Sequence, residues 1–261
     1  MFDPTPAADL LSAAWSADLQ GDLLPVALAP TNRAQGYAIQ RLIDTRLGPA
    51  AGWKIAATSL AGQKHIAVSG PLAGPVFANR VQGPSATVSL RGNRMRVAEC
   101  EVVFRMARDL PVREETYSMD EVLDAVDGIG PGIEVPDSRF AVFEKAGEAQ
   151  LIADCACCRD MVLGDMLPIE GSDARLHQLA GLRVQARVSD GRAFEGVGSN
   201  VLGDPAAALT WLANELNTQG LSLKAGQFVT TGACVVPIAV LPGQQVQADY
   251  GWLGTLGASF V

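Results

Sequence analysis

A chain of 261 residues with 48% hydrophobic content can bury one large core or two modest ones. With 18% charged residues and a net charge of −8 it offers no phosphate-tracking surface, which argues against nucleic acid as a partner. No stretch approaches the roughly 20 apolar residues of a membrane span, and Met1 to Asp9 has no basic segment leading into an apolar one, so the expectation is a cytoplasmic protein, neither secreted nor membrane-bound.

Ala7 to Leu19 has helical composition, and Thr31-Asn32 offers an N-cap for a helix from Ala34 to Leu47 that Gly48-Pro49 stops. From Ala51 the texture changes to short β-branched runs punctuated by Gly and Pro: Ala86 to Leu90, Val97 to Ala107, Leu182 to Val188 and Gln227 to Thr231. Two further helices are predicted, Met119 to Val126 after Ser118, and Pro205 to Asn217 after Asp204 with Gly220 beyond its end. No repeat or linker interrupts the chain. The expected class is α+β, with a helical N-terminal region over 1–50 and a mixed β-core over 51–261, either distinct or continuous as one domain.

The five cysteines, Cys100, Cys155, Cys157, Cys158 and Cys234, are odd in number and three are crowded together, a poor framework for disulfides. Reduced thiols are expected. Zinc at the 155–158 cluster is disfavoured, because the two histidines, His65 and His177, are both remote in sequence.

The most informative local feature is Val97-Ala98-Glu99-Cys100-Glu101-Val102-Val103-Phe104, where two acids interrupt an apolar, β-prone run. A strand's period of two puts Glu99 and Glu101 on one face. Like charges side by side on a half-buried strand repel and are costly to desolvate, so something cationic should compensate. A third acid, Glu134, lies among branched apolar residues in Gly130-Pro131-Gly132-Ile133-Glu134-Val135-Pro136-Asp137. Three carboxylates suit a hard, oxygen-seeking ion such as Mg²⁺ or Mn²⁺. On the residues alone, a solvated pair neutralised by Arg94, Arg96 and Arg105 is the competing reading.

Further segments join this one in a recognisable order. They are Tyr37-Ala38-Ile39-Gln40, Gly52-Trp53-Lys54-Ile55-Ala56-Ala57-Thr58-Ser59 followed by Gln63, Arg108-Asp109-Leu110-Pro111, and Ile133-Glu134-Val135-Pro136-Asp137-Ser138-Arg139. Ile152-Ala153-Asp154, Val162-Leu163-Gly164, Thr231-Gly232 and the closing Gly251 to Phe260 stretch complete the set. From about Tyr37 to its end the chain resembles the 2-keto-4-pentenoate hydratase and 4-oxalocrotonate decarboxylase branch of the fumarylacetoacetate hydrolase superfamily.

The resemblance implies a mixed β-roll core of the fumarylacetoacetate hydrolase C-terminal-domain type, assembled into homo-oligomers. It implies Mg²⁺ or Mn²⁺ held by Glu99, Glu101 and Glu134, with Lys54 beside metal and substrate. The implied activity is a hydratase or decarboxylase, a lyase of small unsaturated 2-oxo acids from aromatic-compound breakdown (2-hydroxypenta-2,4-dienoate or 4-oxalocrotonate type), working through a metal-stabilised enolate. Two places depart from the pattern. Pro71-Leu72-Ala73-Gly74 stands where such hydratases usually show Pro-Asp-Tyr-Gly, and Asp154-Cys155-Ala156-Cys157 stands for Asp-Asn-Ala-Ser.

Lys54 is the candidate general base or proton shuttle. An apolar frame and a neighbouring cation are expected to lower its pKa, whereas facing a substrate carboxylate it stays charged and binds. His65 is the candidate to carry protons in place of the acid missing at Leu72. Ser59, Gln63, Ser138 and Thr231 are candidate hydrogen-bonding neighbours of the substrate, and Arg139 either receives a distal carboxylate or pairs with Asp137. Two alternatives stay open: an acylpyruvate C–C hydrolase, which needs a positioned water and a base, and a metal-binding homologue without turnover.

Overall fold

A computed structural model describes residues 2–261. Helices α1 (Thr5–Ala17) and α2 (Arg33–Leu47) open the chain, the second capped by the Asn32 side chain, which accepts from Gln35 N, and ended at Gly48 with φ 105°. Then come β1 (Ala50–Ala56), the short α3 (Leu60–His65), β2 (Leu72–Phe77), β3 (Val81–Gln82), β4 (Ala86–Val88) and β5 (Val97–Met106). Helix α4 (Met119–Leu123) leads into β6 (Val126–Val135), α5 (Glu148–Ala153), β7 (Asp160–Leu163), β8 (Leu167–Pro168), β9 (Arg183–Val188) and β10 (Ala193–Val197). Helix α6 (Pro205–Thr218) precedes β11 (Phe228–Ala233), β12 (Ile238–Ala239), β13 (Gln245–Asp249) and β14 (Thr255–Phe260).

The strands form two sheets. One runs β2-β1-β11-β5-β6-β7-β3, with β12 also on β5 and β8 also on β6; the other runs β10-β9-β13-β14-β4. Pairs β1–β11, β3–β7 and β14–β4 are parallel and the rest antiparallel, so this is the expected α+β class with N-terminal helices and mixed sheets. The helix predicted over Met119–Val126 stops at Leu123 because Val126 already belongs to β6. A capping box between Ser118 and Glu121 starts it.

Helices α1 and α2 are seated on the larger sheet by apolar and polar contacts. Trp15 packs edge-on against Phe77 with ring centroids 5.7 Å apart, and Gln40 Nε2 donates to both Ala73 O (2.9 Å) and Ile152 O (2.8 Å). Below α1 lies an ionic network in which Asp18, Asp137 and Asp160 balance Arg80, Arg139 and Arg159. Its buried members are paired, as buried charges must be. Among the described residues no helix is long and apolar enough to cross a membrane.

Candidate metal centre

Strand register brings the three acids together. In the antiparallel pair β5–β6, Glu99 stands opposite Glu134 and Glu101 opposite Gly132; directly opposed residues point to the same side of a sheet. Carrying the same alternation through β11 and β1 adds Thr230, opposite Val103, and Lys54, opposite Thr230. On β2, Gly74 is opposite Lys54 and Leu72 opposite Ala56, so both also belong to this face. Gly132 leaves room for its neighbours: a Cβ there would lie 2.5 Å from Met161 Cε and 2.6 Å from Val103 Cγ2.

One carboxylate oxygen from each of Glu99, Glu101 and Glu134 lies within 4.8 Å of the other two. Glu101 is fully buried and Glu134 is 2% exposed, while Glu99 is half-buried. One Glu101 oxygen, Oε2, accepts from Thr230 Oγ1 and from Gly232 N (2.7 Å), the latter reaching it through a bulge after Thr230 where Gly232 takes φ 109°. Glu101 Oε1 and Glu134 Oε2 receive no hydrogen bond, and Glu134 Oε1 has only the Lys54 ammonium beside it. Buried carboxylate oxygens without donors call for a cation, and an all-oxygen set fits a hard divalent ion.

The compensating positive charge is Lys54, itself 2% exposed. Its Nζ lies 3.2 Å from Glu134 Oε1 and donates to Ala156 O at 3.1 Å. Burial pulls the Lys54 ammonium down, but Glu134, Glu99 and Glu101 outweigh it and hold its pKa above the ordinary lysine value. The carboxylates of β5 and β6 oppose the lowering expected from an apolar frame and a neighbouring cation. Burial pushes Glu134 up to about 7 against the pull of Lys54, and pushes Glu101 well above the carboxylate range, reinforced by Glu134 and Glu99. Three carboxylates outnumber the single ammonium of Lys54, and burial beside one another disfavours their charged forms.

The remaining candidates divide by place. Ser59 caps α3 by accepting from Gly62 N, Gln63 donates to Ala57 O, and His65 is exposed with its ring edge-on to Phe143. None of the three makes a hydrogen bond or ion pair with the carboxylates. Thr231 donates to Val102 O, so its neighbour Thr230, which the sequence reading passed over, is the threonine on the metal face. Arg139 is buried and pairs with Asp137 at 2.7 Å, the second of its two expected readings. Ser138 donates to Asp154 Oδ2 at 2.6 Å. All five cysteines are free and buried.

Asp154 was also passed over. Burial pushes its carboxyl up to about 7 despite Arg139 and the hydrogen bonds from Ser138 Oγ and Arg139 N. An unfolded Asp ionises near 3.9, so this raised group contributes stability that is present below that value and lost as pH rises through about 7. Asp154→Asn lacks that loss, and its stability relative to wild type is expected to rise from about pH 4 to about pH 7, by at most about 1.4 kcal/mol per pH unit. Urea denaturation across that range measures it; a flat difference means that Asp154 stays ionised.

Known proteins resemble this chain in sequence and in fold. The fumarylacetoacetate (FAA) hydrolase C-terminal family model matches residues 60–261. The chain is 32% identical over 259 residues to 2-keto-4-pentenoate hydratase 1 of Dechloromonas aromatica (strain RCB), covering 97% of this chain and 95% of the relative. It is 29% identical over 227 residues to 4-oxalocrotonate decarboxylase of Pseudomonas putida, covering 86% and 83%. In fold it is similar to the 4-oxalocrotonate decarboxylase from Pseudomonas putida G7 solved with magnesium and adipate, with a TM-score of 0.87 and 24% identity over 99% of this chain and 97% of that one. With most of its length matched in this way, the chain belongs to the fumarylacetoacetate hydrolase C-terminal family.

Proposed function

We propose that this chain is a divalent-metal-dependent lyase of small unsaturated 2-oxo acids, a hydratase or decarboxylase of the 2-hydroxypenta-2,4-dienoate or 4-oxalocrotonate type. The observation that carries the reading is the convergence of Glu99, Glu101 and Glu134, with buried oxygens lacking donors, on the sheet face that also holds Lys54. The relatives named hydratase and decarboxylase support it.

Glu99, Glu101 and Glu134 are the residues that would hold Mg²⁺ or Mn²⁺. Such a cation supplies positive charge for the substrate's carboxylate and 2-oxo oxygen and stabilises negative charge developing on that oxygen. Thr230 and Gly232 fix one Glu101 oxygen and leave the other available. Lys54 handles the proton. Of its three N–H donors one serves Ala156 O and one faces Glu134, which leaves the third for substrate. A charged ammonium there can pair with a substrate oxygen or deliver a proton to carbon.

Leu72 tilts the choice of reaction. It is fully buried, on the Lys54 face, and brings no proton carrier. Loss of CO₂ generates the enolate without removal of a carbon-bound proton, whereas hydration also needs an activated water and a delivered proton. The expected result, with Mg²⁺ saturating, is faster CO₂ release from an unsaturated 2-oxo diacid than loss of conjugated absorbance from a 2-hydroxydienoate. Leu72→Asp is expected to raise the second rate about tenfold. Wild-type hydration as fast as decarboxylation, with no gain from Leu72→Asp, would assign the proton to another group. Turnover of neither substrate would sink the lyase reading in favour of an acylpyruvate hydrolase or a non-catalytic metal binder.

A further inference from the structure

The segment joining α5 to β7 has an unusual backbone. Cys155, Ala156 and Cys157 follow one another at φ 54°, 53° and 60°, all left-handed and none of them glycine. Such conformations are costly for residues with a Cβ, and three in a row persist only where their surroundings over-determine them. Three constraints do so. The Cys155 carbonyl lies so close to Gly74 that a Cβ there would approach its oxygen to 2.1 Å. Asp137 N donates to Cys157 O at 3.0 Å. At the entrance, the fully buried Asp154 accepts from Ser138 Oγ (2.6 Å) and Arg139 N (2.8 Å), tying the turn to the segment that follows Glu134.

The turn has one polar product directed at the site: it aims Ala156 O at Lys54 Nζ, 3.1 Å away. Gly74, which accommodates the turn at Cys155, stands opposite Lys54 on β2, so the strand paired with that of Lys54 also seats the turn whose Ala156 carbonyl holds it. We infer that Asp154 is a positioning residue for Lys54: its carboxylate locks the left-handed turn whose Ala156 carbonyl fixes the ammonium against Glu134. Asp154 makes no hydrogen bond to the three glutamates, so it acts through the turn.

The kinetic part of the test rests on the lyase reading; the crystallographic part does not. In crystals of Asp154→Ala, Lys54 Nζ is expected to leave Ala156 O while the three glutamates keep their places. In solution kcat falls at least about tenfold, because small misplacements of a reacting group are costly, while KM and the Mn²⁺ dissociation constant stay within about threefold. Asp154→Asn, which keeps an acceptor, recovers most of the loss. In a Lys54→Met background Asp154→Ala has no further effect, whereas a merely structural role would add to it. A persisting Lys54–Ala156 contact, kcat within about twofold of wild type, or full additivity overturns the inference. If wild type turns over no 2-oxo acid, the lyase reading fails and the crystal structures alone decide. Should Asp154→Ala not fold, Ser138→Ala, which removes one of the two donors to the carboxylate, takes its place with the same expected and overturning results at smaller amplitude.

Discussion

Lys54→Met is expected to lower hydration by about a thousandfold and decarboxylation by about ten- to a hundredfold, a split set by how many proton transfers each reaction asks of one group. Met matches the length of the lysine stem at a position only 2% exposed, so the change removes charge and proton with little else. The lost ammonium also leaves Glu134 without its nearest counter-charge, 3.2 Å away. For that reason the measurement pairs kcat with Mn²⁺ affinity, and only a kcat loss in excess of the affinity change counts as chemistry. Equal losses in the two reactions would remove Lys54 from proton delivery and leave it as an anchor for substrate charge.

Glu101→Gln is expected to change stability in opposite directions with and without metal. The amide oxygen still accepts from Thr230 Oγ1 and Gly232 N, so the packing of β5 against β11 is retained. Without metal the variant should melt above wild type at neutral pH, because burial beside Glu134 and Glu99 disfavours the charged form of Glu101, whereas Gln has no charge to desolvate. With Mg²⁺ in large excess the order reverses. Wild type then gains about 2.7 kcal/mol at a hundred times its dissociation constant, while the variant, short of one anionic ligand, binds at least about a hundredfold more weakly. Calorimetric melting of both proteins with and without Mg²⁺ reads this crossover. Parallel shifts in the two proteins would mean that the ion sits elsewhere.

How far the sequence could be read depended on whether each element carried its own signal. Alternation in Val97–Met106 announced β5 and put Glu99 and Glu101 on one face, and caps at Asn32 and Asp204 announced α2 and α6. Strand β6 was harder, because Gly130-Pro131-Gly132 has the composition of a turn. In the fold those residues make a buried strand: Met161 and Val103 occupy the space beside Gly132, and Pro131 O accepts from Gly164 N at 2.9 Å. Helices α3 and α5, six residues each, are too short for a hydrophobic period. The left-handed turn had no warning at all, since Gly or Asn usually marks such backbone and here it is Cys-Ala-Cys. Of the site residues, the carboxylates were legible as a pattern. The pairing of Arg139 with Asp137, two residues away, was one of its two readings, whereas the contacts of Lys54 were hidden because Glu134 and Ala156 are distant in sequence.

The face-to-face placement of Glu99 and Glu134 gives the chain two very different tolerances to changes in length. Residues 111–116, between β5 and β6, are mostly exposed and outside either strand, so residues added or lost there leave the pairing of the strands untouched. One residue added or lost between Glu101 and Phe104 would slide the ladder by a step and turn the acids of β5 toward the opposite side of the sheet from Glu134. Insertions and deletions in the connecting loop therefore leave the facing acids in register, while the strand residues beyond Glu101 must keep their number even where their identities drift.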